Sequence, residues 1–189
     1  MKKTFLTLIF LGLTFISKAQ NSSAENSTSG VQIGILGIWI HNEHKFPNSL
    51  ILRTELGFDS AIWGGSYSEN SEFIMALVVT AEPRWYYNLD KRKSESKRID
   101  GNSGNFLSLK TSFHPDWFVI SNTENVDIIS DITIIPTWGI KRNIGKYFNY
   151  EAGIGIGYRH ALTNENELFE DENNNKVAGN LHLRIGYRF

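Results

Sequence analysis

No cysteine occurs in the 189 residues of this chain, which excludes disulfides, thiol chemistry and cysteine-based metal sites together. Neither sign of charge is in excess: 19 Lys and Arg stand against 20 Asp and Glu, so the overall charge does not point to nucleic acid. Beyond residue 16 there is no apolar run near the roughly twenty residues that a membrane-crossing helix needs. A phosphate-binding glycine loop is missing, since Gly153, Gly155 and Gly157 alternate along one segment and form no nucleotide fingerprint. No metal-ligand spacing stands out, and neither a metal nor a cofactor is expected. Stability must come from sheet closure and packing.

At the start of the chain, Lys2 and Lys3 precede an apolar run over 5–16, and Ser17-Lys18-Ala19 supplies small residues at cleavage-site spacing. Residues 1–19 therefore read as a secretory signal peptide, too short to be an anchor. The polar stretch NSSAENSTSG within 20–30 reads as a flexible periplasmic lead, and 31–189 suits one domain.

The last fourteen residues, KVAGNLHLRIGYRF, alternate strictly. Val177, Leu181, Leu183, Ile185, Tyr187 and Phe189 share one parity, while Lys176, Asn180, His182, Arg184 and Arg188 share the other. Period-two alternation marks a strand with one apolar and one polar face. The same pattern recurs over 50–58, 73–87, 107–113, 128–140 and 148–158, and less clearly over 31–41. The expected fold is all-β: a single antiparallel transmembrane β-barrel of about eight strands following a cleaved signal peptide. Seven segments alternate recognisably, and bacterial barrels usually have an even number of strands. An eighth is expected before residue 31, or within 60–71 or 114–125. Pro83 should fall near a strand end or bulge, and 88–103 and 141–146 read as connections.

In such a barrel the polar parity faces the lumen. Arg53, Glu55, Glu82, Arg84, Lys110, Asp131, Glu151, Arg159, Arg184 and Arg188, with Asp59, are the candidates for an internal ion-pair network that fills a narrow interior. Gly153, Gly155 and Gly157 should let bulky side chains approach from across the lumen. Trp85, Tyr87, Trp138, Tyr150, Tyr187 and Phe189 should gather at one edge as an aromatic girdle, on the periplasmic side.

The signal ending SKAQ, the runs EPRWYYNLDKR, GNSGNFLSLK and IPTWGIKRNIG, and the ending LHLRIGYRF together resemble the small outer-membrane β-barrel proteins of Bacteroidota. That resemblance covers nearly the whole mature chain. It implies residence in the outer membrane of a Gram-negative bacterium, contact with outer-membrane lipid and lipopolysaccharide, and folding by the barrel-assembly machinery. It implies no particular activity. Nothing in the chain favours an oligomer, so a monomer is expected.

A structural or interaction role in the envelope is the leading expectation, with a narrow channel as the alternative. An enzyme acting on lipid A or phospholipid acyl chains is a third reading, motivated by His114, Asp116 and Ser121. Their spacing matches no nucleophile motif, and His160 and His182 have no evident serine partner. The acidic stretch Glu165, Glu167, Glu170, Asp171 and Glu172 lacks calcium-loop spacing and reads as a solvated loop. The basic run Lys91, Arg92, Lys93, Lys97 and Arg98 is suited to anionic headgroups or polymer. A soluble lipocalin-like barrel, with apolar residues inside, is the alternative fold.

Overall fold

The computed structural model describes residues 24–46, 50–63, 72–122, 128–162 and 175–189. The signal region and the acidic stretch lie outside these residues. Nine strands run β1 (Ser27–Gly34), β2 (Gly37–Lys45), β3 (Leu50–Trp63), β4 (Glu72–Trp85), β5 (Asn105–His114), β6 (Val119–Ser121), β7 (Asp131–Ile144), β8 (Phe148–Ala161) and β9 (Asn175–Arg188). All neighbours pair antiparallel, in the order β3-β2-β1-β9-β8-β7-β5-β4, and β3 pairing with β4 closes the ring. The short β6 continues the line of β5 along β4. The result is a closed eight-stranded barrel with almost no helix among the described residues.

The eighth strand begins before residue 31, one of the places expected, but it runs on into the segment read as the first strand. The segment 31–41 is the turn of a hairpin, not one strand: Gly34 faces Gly37 across the two-residue loop Ile35-Leu36, and β1 begins at Ser27 within the presumed lead. Gly37 has φ near +147°, a conformation that side chains resist. The turn inverts the parity expected beyond it. Trp39 consequently faces the lumen, whereas Val31 and Ile33 face outward.

The remaining strands keep the parity read from their sequence. Pro83 sits two residues before the end of β4, and the β4–β5 ladder skips from Ala81–Thr111 to Arg84–Ser108 around it. Pro136 similarly interrupts β7–β8 between Ile134–Tyr158 and Thr137–Gly155. Each proline lacks the N–H a ladder bond would need. Strand β7 continues to Ile144, through the stretch expected to be a connection, and turns at Gly145 with φ +61°.

Lumen packing is lateral. The ring of His182 occupies the space a side chain at Gly153 would take, Trp39 does so at Gly57, and Phe106 at Gly139. Each pair is directly opposite on adjacent strands, so the bulky side chains come from the neighbouring strand and not from across the barrel. Gly155 and Gly157 instead lie against the backbone of β7.

One end carries the connection 86–104, with helix α1 (Leu89–Ser94) and a 3-10 turn (Asp100–Asn102). Leu89, Tyr86, Phe106, Ile51 and Ala24 form a small apolar cluster that closes this helix end, with Ile99 packed against it. Full burial of Leu89 holds α1 in place, a contribution of about 1.5–3 kcal/mol. Among the described residues no helix is long and apolar enough to cross a membrane.

Candidate functional site

At the barrel's centre, four carboxylates meet four cations. Glu43 on β2, Glu55 on β3, Glu82 on β4 and Glu151 on β8 face Arg53 on β3, Arg84 on β4, Lys141 on β7 and Arg184 on β9, all buried. Arg84 donates to Glu82 Oε2 at 2.7 Å and to both oxygens of Glu151 at 2.8 and 3.0 Å. Arg53 donates to Glu43 at 3.1 Å and to the Gln32 amide oxygen at 2.5 Å, and its Nε pairs with Glu55. Arg184 completes Glu55 at 2.7 Å, and Lys141 Nζ lies 3.0 Å from Glu43. Two guanidinium groups also lie over aromatic faces, Arg184 on Trp39 at 3.9 Å and Arg84 on Phe106 at 4.1 Å. Tyr86 and Asn102 donate to the two oxygens of Glu43 at 3.0 and 2.8 Å. Buried charge is tolerable only when paired and hydrogen-bonded in this way.

Six of the expected lumen residues, Arg53, Glu55, Glu82, Arg84, Glu151 and Arg184, thus meet in one cluster. The others are distributed elsewhere. Asp131 and Arg159 pair at 2.7 Å towards the opposite, loop end. Arg188 lies at the helix end, 3.3 Å from Glu25 and 3.1 Å from Asp100. Lys110 is only 8% exposed, yet makes no ion pair or side-chain hydrogen bond with any described residue. Glu43 and Lys141 lie outside the alternating segments read from the sequence; continuing the period-two count through Thr137 and Gly139 finds Lys141, whereas Glu43 is found only when the count restarts after the Ile35-Leu36 turn.

Above the central cluster, towards the loop end, lies a cavity of about 550 Å³. Lys110, Asp59, His114, Asp131, Arg159 and Asn180 supply polar groups to it, and Trp39, Leu36, Ile128 and Ile129 supply apolar ones. His114 spans two carboxylates, with Nδ1 3.0 Å from Asp131 and Nε2 3.2 Å from Asp59. Both ring nitrogens are therefore occupied, and His114 has none left to accept a proton from Ser121. Asp116 engages Ser130 through its backbone N–H, and Ser121 pairs along β4, so the three candidates form no hydrolytic triad. No cluster of metal-binding side chains occurs among the described residues.

The helix end is held by a separate clasp. Gly101 N donates to Glu25 at 2.6 Å, Glu25 N donates to Asn102, and Arg188 reaches Glu25 and Asp100. Burial pushes the Asp100 carboxyl up, but hydrogen bonds from Arg98 and Asn143 outweigh it and hold the group below its ordinary value. The basic run is exposed here; Lys97 pairs with Glu95, Arg98 with Asp100, and Arg92 donates to the Arg98 carbonyl.

Trp85, Tyr87, Trp138, Tyr150, Tyr187 and Phe189 all face outward, on the half of the barrel nearer the helix end. Trp138 donates to the Tyr87 hydroxyl at 3.0 Å, and Tyr187 meets Tyr147, Phe148 and Phe189 edge-on or stacked. No family model matches the chain, and no curated protein matches it at a significant level. Function must be argued from this geometry.

Proposed function

We propose that the protein is a small monomeric outer-membrane β-barrel, of the kind its sequence resembles in Bacteroidota, with a structural or interaction role in the envelope and a filled central lumen. The observation that carries this reading is the inverted distribution of polarity. Arg53 and Arg84 are fully buried while Ile156 and Val177 are 71% and 72% exposed, the reverse of a soluble barrel. Large apolar side chains around the outside match lipid better than water. Strands of 14 residues rise about 46 Å along their length, or about 35 Å at a tilt near 40°, ample for an apolar band of about 25 Å. In this reading the aromatic half of the wall lies at the periplasmic interface, with lipid and lipopolysaccharide as surroundings.

The balanced centre disfavours a channel, because opening it means separating charges that satisfy one another. Fractionation of cells producing the full chain tests the proposal. Recovery in the outer membrane, resistant to carbonate extraction and with heat-dependent gel mobility, is expected. Recovery in the soluble periplasmic fraction would overturn it. Planar-bilayer recording is expected to show no discrete conductance.

A further inference from the structure

The barrel wall is uneven. Strand β1 pairs with β9 only from Gly30–Arg188 to Gly34–Arg184, and β2 pairs with β3 only as far as Gly37–Asp59. Strand β9 continues for nine more residues, from Leu183 back to Asn175, paired to β8 on one side alone among the described residues. Strand β3 also continues past Ser60, whose N–H donates to the Leu36 carbonyl at 2.8 Å, and from there is paired only to β4 among the described residues. Among the described residues the short β1–β2 hairpin therefore leaves a notch above its tip, two strands wide, or about 14 Å between β9 and β3. Leu36 and Ile35 form its floor, and next to Gly179 the space is open.

Two features make the notch a portal. A second cavity runs through it, lined by the outward-facing Ile154, Leu181 and Leu183 and by the lumen-facing Trp39, His182 and Arg184. It shares Trp39, Leu36, Asn180 and His182 with the loop-end cavity, so the vestibule opens sideways as well as upward. The wall beside it is strongly apolar on its outer face, through Ile154, Ile156, Tyr158, Val177 and Leu181. Eight or nine residues at barrel tilt rise only about 21–23 Å, short of the apolar band, so the gap falls at lipid level.

The vestibule's charges indicate what it holds. Asp59 and Asp131 are matched by Arg159 and by His114, which can serve both carboxylates at once only as the doubly protonated ring. Arg184 is taken by Glu55. Lys110, facing the cavity, is the cation left over: its charge reaches Asp59 and Glu55, but each of these already holds a closer cation, His114 on the first and Arg53 and Arg184 on the second. A buried lysine without a contact ion pair is costly, and a single negative charge beside it relieves that cost.

We propose that the vestibule binds a single-chain anionic amphiphile with a carboxylate head, which arrives from the surrounding lipid through the notch and places its head group on Lys110. The inference rests on the membrane reading above. A monoanion balances Lys110 without overshooting, and the apolar notch suits an alkyl chain. The cavity volume lies within the range of small-molecule sites, about 300–1,000 Å³.

The test uses the barrel folded into uncharged phosphatidylcholine bilayers and titrated with dodecanoate brominated near its chain end, a short-range quencher of tryptophan. The Trp39 signal is the difference between the wild type and Trp39→Phe. Saturable quenching of Trp39 at one ligand per barrel is expected. Lys110→Gln should weaken it about 10-fold or more, as loss of a charge-assisted hydrogen bond does, and Lys110→Arg should retain it. Unbrominated dodecanoate should compete, and dodecanol should not. Equal competition by dodecanol, or an unchanged Lys110→Gln, would overturn the head-group assignment; displacement by acetate at the same concentration would make the ligand a small aqueous anion. The absence of Trp39 quenching would remove the site. In bilayers of brominated phospholipid, quenching of Trp85 and Trp138 is expected, and its absence would sink the membrane reading independently of the fatty acid.

Discussion

The centre of the lumen and the vestibule above it are both built from lumen-facing charges on the barrel strands, yet they are opposite in character. In the centre every carboxylate has a cation, and two of the three arginines, Arg84 and Arg184, lie on rings. In the vestibule one lysine is left over and the wall is incomplete. Pairing makes the first region a structural plug, and the surplus makes the second a candidate site. Lumen-facing charge thus serves two roles, according to whether it cancels.

Breaking the centre should have the largest effect. Arg84→Met takes the cation from Glu82, leaves Glu151 with only Arg53 at 3.5 Å and His182 at 3.2 Å, and removes the stacking on Phe106; it should lower stability by about 3–5 kcal/mol in detergent-based urea unfolding. An unchanged midpoint would mean the plug is not needed for stability. Filling the lateral packing should cost less. In Gly153→Leu the new side chain claims the place of the His182 ring, for a loss of about 1–3 kcal/mol by the same assay.

The helix-end clasp gives a smaller, pH-dependent effect. Because the folded Asp100 carboxyl is held below its ordinary value, its contribution is present above the unfolded value, near 3.9, and is lost as pH falls through the folded one. Amide exchange over residues 98–104 should be slow at pH 6 and quicken, relative to the intrinsic rate, below about pH 4; Asp100→Asn should abolish that dependence.

The smallest effects on stability should come from the uncompensated groups. Lys110→Gln removes a buried charge that makes no contact ion pair, so its unfolding midpoint should stay the same or rise slightly, even as amphiphile binding is lost. Neither ring nitrogen of His41 has a hydrogen-bond partner among the described residues. His41→Leu should accordingly be neutral or stabilising by up to about 1 kcal/mol. Strong destabilisation by Lys110→Gln would erase the contrast between centre and vestibule.

Alternation by itself determined the fold class and the facing of six of the eight barrel strands, because a barrel between apolar and polar media forces period two on every strand. It also separated the buried charges Arg53, Glu55, Glu82, Arg84, Glu151 and Arg184 from the outward apolar set. It failed at 31–41, where GILGIW hides a two-residue turn among apolar residues and carries none of the usual polar turn signals. Missing that turn cost the facing of Trp39, the division of 31–41 between two strands, and Glu43. Which charges cancel was decided only by tertiary structure. Pairing depends on the level of each side chain along the barrel axis, and that level is set by strand register and hairpin length, neither of which is written in the local pattern. The same two quantities leave Lys110 without a contact ion pair and open the wall beside it.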